Sequence, residues 1–261
     1  MVKKIIFWAV ACLLVFSAGA YAEDSWEKVE RVGKLVVGFE DGFPPVTFRE
    51  ADGSLAGFDI DAARALTERL GISVELKTTA WEGIVYRLNA KEFDCIWNGM
   101  TITEERSKEV LFTRPYAMTG CVAYTRIDEK LLSSYKDLAG KIIGVRKGST
   151  AVDAANSIPN VFRVVEYLSI EQGFQDIHNK KIDAFVVENV VGNHFMNKQP
   201  ELFKRLEGWV TIEPFGIAFR RPDVQLRDRV QKELDAMLED GTLIGFSMKW
   251  FGEDLVSPEK W

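Results

Sequence analysis

Apolar positions along the chain follow a strand-like and a helix-like period in alternation. Residues 34–39 form a β-branched apolar run that closes at the turn Glu40-Asp41-Gly42-Phe43-Pro44-Pro45, which predicts a buried strand. Behind it Ile60, Ala63, Leu66 and Leu70 recur at helical spacing, with Asp59 as the expected cap and Gly71 as the stop. A strand over 73–77, a helix over 81–88 and a strand over 93–97 complete a β-α-β-α-β series. That order is the pattern of a parallel sheet covered by helices. The pattern then restarts with a strand over 120–125 and a connector. Strands over 141–145, 162–167 and 184–187 follow, with helices over 149–157, over 170–179 and from about Val190. A strand over 216–219, an amphipathic helix over 225–239 and an aromatic-rich helix ending at Trp250-Phe251-Gly252 close the chain. The two similar series predict an α/β protein of two lobes.

Composition changes this picture at the N-terminus. Lys3 and Lys4, an apolar run over 5–16 and the small-x-small exit Ala20-Tyr21-Ala22 read as a cleavable secretory signal over residues 1–22. The run is short for a bilayer span, and Cys12 sits inside it, away from a lipidation position. No later segment approaches a span, so the expected product is soluble and exported to the periplasm. The remaining 239 residues are enough for one large domain or two modest ones, and a 47% hydrophobic content supports real cores. Without Lys3 and Lys4 the 33 basic residues become 31 against 39 acidic ones, a net charge of −8. No basic stripe accompanies it, which argues against a nucleic-acid partner. His178 and His194 have no neighbours at metal-ligand spacing, so neither a metal nor a cofactor is expected. Cys95 and Cys121 both lie in apolar, strand-like contexts and are compatible with one disulfide or with two buried thiols.

The most informative chemistry lies in the run Trp97-Asn98-Gly99-Met100-Thr101-Ile102-Thr103-Glu104-Glu105-Arg106. A glycine, two threonines and an arginine fall where a buried strand gives way to a helix. A turn with free N–H groups, a hydroxyl and a guanidinium can hold a carboxylate from three sides, and the planar fork of arginine matches both carboxylate oxygens. Taken alone, the same residues also fit plain helix capping by Thr101 or Thr103, with Arg106 paired to a nearby acid. Ligands of open α/β sheets lie beyond the carboxyl ends of the strands. That singles out 40–43, Trp81, 98–101, 146–150 and Glu188.

The turn at 40–45, Gly57-Phe58-Asp59-Ile60-Asp61 and the 98–106 run together resemble the solute-binding proteins of polar amino-acid ABC transporters. Leu138-Ala139-Gly140-Lys141, the 144–150 segment, Asp183-Ala184-Phe185-Val186-Val187-Glu188 and Lys249-Trp250-Phe251-Gly252 extend the likeness over the whole mature chain. The resemblance implies a two-lobed type II periplasmic-binding fold, each lobe a mainly parallel sheet flanked by helices. Lobe one would be 24–119 plus 216–261 and lobe two 124–211, with hinge crossings near 120–123 and 212–215. It also implies a monomer that captures a polar amino acid and delivers it to a membrane permease.

Residue by residue, Arg106 matches the arginine that clamps the ligand carboxylate. Thr101 matches its hydroxyl and backbone partner, and Gly99 a further backbone contact. Thr150 falls at a helix start that favours the same carboxylate, although Ser149 and Thr150 also suit capping. Glu188 stands where the family usually has an aspartate for the ligand ammonium. Its alternative is a helix cap. Phe43 and Trp81 match the aromatic pair around the ligand side chain, and either also suits a core. Asn98 departs from the small residue of many members. Glu40 matches an acid that meets polar side chains, and Arg146 a basic position that meets acceptors. The first favours arginine, lysine, histidine or glutamine, and the second pulls toward an acceptor; a second amino-acid head group, as in cystine, suits both. Asp59 and Asp61 read as capping and packing rather than as a metal pair. On closure Thr150 and Glu188 would swing over a ligand already held by Arg106 and Thr101. Two rivals share the fold: an exported dehydratase of aromatic amino-acid biosynthesis with Glu188 or Glu40 as general acid, and a receptor ectodomain, which is disfavoured because no membrane span follows.

Overall fold

The computed structural model describes residues 25–260, so the expected signal segment 1–22 lies outside the described residues. Two sheets organise the chain. The first runs Ser73–Thr78, Lys34–Phe39, Cys95–Thr101, Glu213–Arg220, Val110–Phe112, with Ala117–Thr119 also paired to the Glu213–Arg220 strand. The second runs Arg163–Tyr167, Ile142–Arg146, Ala184–Glu188, Cys121–Arg126, Phe203–Arg205. In each, the βα series supplies three parallel strands, and the remaining strands join antiparallel. Both sheets are therefore mixed.

The inner parallel strands bury most of their side chains because helices cover the sheets, whereas the edge strands Ser73–Thr78 and Arg163–Tyr167 stay largely half-buried or exposed. Val37, Phe39 and Trp97 of the first sheet meet Ile60 and Leu66 of the Phe58–Arg69 helix in one buried cluster. The Val224–Glu239 helix adds Leu226, Val230, Leu234 and Met237, spaced three or four apart on one face. In the second sheet Ile143, Val145 and Val186 pack on Ala151 and Ala155 of the Ala151–Ser157 helix. The first of these clusters also takes in Tyr124, Phe174 and Phe185 from the second sheet and its helices, so buried packing is continuous between the two sheets.

Several local expectations are corrected. The helix after the first turn starts at Phe58, with Gly57 as its cap, so Asp59 sits inside the first turn. Gly57 has φ +127, and a Cβ there would lie 2.2 Å from the Val46 carbonyl oxygen, so only glycine fits. Asp61 instead anchors the last helix, 2.7 Å from Lys249 Nζ and 2.9 Å from Trp250 Nε1. The strand expected over 93–97 is Cys95–Thr101, because the Glu213–Arg220 strand pairs along it, placing Phe215 opposite Thr101. The helix expected from Trp81 starts at Ile84. The pattern gave no sign of the Ser25–Val32 helix or of the small sheet of Gly42–Phe43, Thr47–Arg49 and Leu55–Ala56. Cys95 and Cys121 are buried free thiols on different sheets.

Candidate functional site

The strand ends of both sheets converge on a small cavity between the lobes. Arg106 reaches it from the first turn of the Glu104–Glu109 helix, whose start Thr103 caps by accepting the Arg106 N–H at 3.1 Å. Capping therefore falls on Thr103, while Thr101 lines the cavity. The Arg106 guanidinium donates to the Thr101 carbonyl at 2.9 Å and, across the cleft, to the Gly148 carbonyl at 3.4 Å. Its carbon lies 5.5 Å from the centre of the Trp81 ring, and Trp81 Nε1 donates to the same Gly148 carbonyl at 3.1 Å. Burial lowers its pKa, and the nearby carboxylates of Glu188 and Glu213 oppose that shift.

Glu188 ends the Ala184–Glu188 strand with 4% of its surface exposed. Its Oε2 is buried without a hydrogen-bond partner. Burial first, then the Glu213 charge, raises its pKa to about 7, while Arg146 and Arg106 pull it down. A buried carboxylate oxygen left unmatched is costly, so it marks a place for a donor.

Arg146 ends the Ile142–Arg146 strand, and its guanidinium donates to Glu40 across the cleft. It lies 5.6 Å from the Phe43 ring centre and 5.8 Å from that of Trp81, a double cation–π contact. Burial lowers its pKa to about 10, which still leaves it charged at neutral pH. Glu40 does not itself line the cavity but shapes its far end through this pair.

Asn98 lines the wall with its amide committed: Oδ1 accepts the Glu40 N–H at 2.7 Å and Nδ2 donates to Thr47 Oγ1 at 2.6 Å. It fixes the Glu40 turn. Gly99 also lines the cavity, at φ +55, where a Cβ would crowd the rings of Phe215 and Phe43. Its N–H is taken by Asp59 Oδ2 at 2.7 Å. Asp59 also accepts from Tyr116 Oη at 2.9 Å, and burial raises its pKa to about 7. Thr101 lines the cavity, whereas Thr150 sits at its edge with Ser149 facing in. Thr150 is the cap residue of the Ala151–Ser157 helix but its side chain makes no capping bond; Ser149 Oγ, one residue earlier, accepts the Ala151 N–H at 3.3 Å.

The patterns missed Glu213. Its Oε2 accepts from Thr101 Oγ1 at 2.8 Å and from Thr150 Oγ1 at 2.5 Å. Its Oε1 accepts from Thr211 Oγ1 at 2.6 Å and Cys121 Sγ at 3.3 Å. The only signal was an acid between Ile212 and Pro214 in an expected crossing. Among the described residues no group of three His, Cys, Asp or Glu is placed to hold a metal ion. His194 packs 5.9 Å from Phe48, and His178 is exposed.

Chemically the cavity offers a guanidinium at one place, an unmatched carboxylate at another, and an aromatic-flanked ion pair beyond. Comparison with known proteins gives this arrangement a context. Residues 35–253 match the model of the bacterial extracellular solute-binding proteins, family 3. The L-cystine-binding protein TcyJ of Escherichia coli (strain K12) is 30% identical over 249 residues, covering 95% of this chain and 94% of the relative. An ancestral arginine-binding protein bound to arginine is 36% identical with a TM-score of 0.78, over 84% of this chain and 99% of that one. A substrate-binding protein of an ABC uptake transporter from Streptococcus pneumoniae, with bound histidine, is 28% identical with a TM-score of 0.83, over 90% and 98%. The family is one of solute-binding proteins and these relatives are named for binding cystine, arginine and substrate, which sets the dehydratase reading aside. The chain belongs to the bacterial extracellular solute-binding proteins, family 3, and its work is to bind a solute between two lobes, not to convert it.

Proposed function

We propose that the protein captures a polar amino acid in the interlobe cavity and hands it to the permease of an ABC transporter. The observation that carries this reading is the unpartnered Glu188 Oε2 in the same cavity as the Arg106 guanidinium. An ammonium and a carboxylate on one carbon match that pair, and only a zwitterion satisfies both. Arg106 holds the ligand carboxylate in a charge-assisted fork. Glu188 holds the ammonium, and Phe43 and Trp81 enclose the start of the side chain. Thr101, Gly99 and Asn98 complete the wall, with Thr150 at its edge.

Arg146 and Glu40 set the far end. Both poles are already present there, so a side chain carrying donor and acceptor together fits better than a simple cation, which would be repelled by Arg146. A second amino-acid head group meets this demand, in keeping with the cystine-binding relative. The lobes divide as 24–119 with 216–261, and 124–211, and hinge at the crossings between them. The protein works as a periplasmic monomer after loss of its signal segment.

Thermal shift and calorimetry against the twenty amino acids, ornithine and cystine test the reading. A ligand that binds only the native state raises the melting point by mass action. Cystine is expected to give the largest shift and arginine a smaller one. A flat response to the whole panel would sink the proposal.

A further inference from the structure

We propose that Glu213 is a positioning residue that ties the two lobes together through the hydroxyls of Thr101 and Thr150 and sets the lifetime of the closed complex. The proposal rests on the reading that a polar amino acid binds in the cleft, and it adds a residue to which that reading gives no role. Glu213 opens the strand that returns to the first sheet and is only 6% exposed. Thr101 belongs to that same sheet. Thr150 precedes the helix packed on the second sheet. Cys121 starts a strand of the second sheet, and Thr211 stands on the crossing two residues before Glu213.

A carboxylate has about four lone-pair positions, and here four donors use them. The bond from Thr150 spans the cleft and exists only when the lobes are together. Each threonine hydroxyl has a single proton, and both have given it to Glu213. Toward the cleft they can therefore only accept. That leaves the ligand carboxylate to Arg106 and backbone N–H groups, and turns the two hydroxyls toward the ligand ammonium or the guanidinium. Glu213 thus fixes the polarity of the wall as well as the closed geometry.

Dyes placed through Tyr86→Cys and Phe162→Cys report lobe separation in single-molecule fluorescence transfer. Both positions are highly exposed, while Cys95 and Cys121 are buried. Closed-state lifetimes are measured without ligand and with cystine, arginine or histidine. Losing one hydrogen bond to a charged group corresponds to about tenfold. Thr150→Val and Glu213→Gln should each shorten the closed lifetime by about that factor, with the closing rate unchanged. The double variant should be no worse than either single one. Should Glu213→Gln fail to fold, Thr150→Val decides. A Thr150→Val lifetime equal to wild type, additive effects, or a wild type that never closes would overturn the proposal. Parallel calorimetry separates the two claims, since absence of binding by all three amino acids strikes the functional reading and leaves the lifetimes to judge Glu213.

Discussion

Arg106 and Glu188 meet in one cavity although 82 positions separate them in the chain. Glu188 is buried at a strand end, and the half-buried Arg106 stands in the first turn of the helix that follows a strand. Removing one partner of a buried, hydrogen-bonded charge pair costs roughly 2–5 kcal/mol. Arg106→Ala is therefore expected to lose that much binding free energy by calorimetry, and unchanged affinity would contradict the clamp. Glu188→Gln keeps the shape and loses the charge, so it should weaken closure more than first contact. Small-angle scattering that shows normal ligand-induced compaction in that variant would count against the role of Glu188. Their place at the cavity was legible in the sequence because each lies in a compact local motif. The places of Asp59 and Glu213 were not. Asp59 serves Gly99, 40 positions away, and Glu213 serves Thr101, 112 positions away, and no local spacing encodes either partnership.

At the level of elements, the inner parallel strands were legible because burial on both faces writes a continuous apolar run, and the edge strand Ser73–Thr78 because its apolar and polar residues alternate. Strands that exist through pairing alone were not. Val110–Phe112 and Ala117–Thr119 are three residues each and are defined by the strand they lie against. The same partner lengthens Cys95–Thr101 past Gly99, which sequence alone marks as a break. The start of the Phe58–Arg69 helix yields a sharp test. A side chain at Gly57 meets a carbonyl oxygen and a backbone conformation reserved for glycine. Gly57→Ala is expected to destabilise the protein by about 2 kcal/mol or more, measured by urea unfolding. Gly53→Ala, with φ +84 and open space around the Cβ, should cost about 1 kcal/mol.

For the whole molecule, two buried acids make stability depend on pH in the less common direction. Asp59 and Glu188 have folded-state pKa values of about 7, against 3.8 and 4.5 for the free groups. Between those values the native state binds more protons than the unfolded one, so stability contributed by these groups falls as pH rises through the window. Wild-type stability minus that of Glu188→Gln should decline from about pH 4.5 to about pH 7 in ligand-free thermal melts. A difference that rises over that range would refute the assignment. Ligand affinity should move oppositely, since an ammonium needs the ionised form of Glu188. The Glu213–Arg220 strand is inserted between two strands of the N-terminal half. The second sheet uses only residues 121–205, whereas the first cannot be finished until chain beyond residue 213 has been made. During synthesis the later-encoded sheet can therefore complete first, and the earlier one waits, with long-range pairing as its slow step.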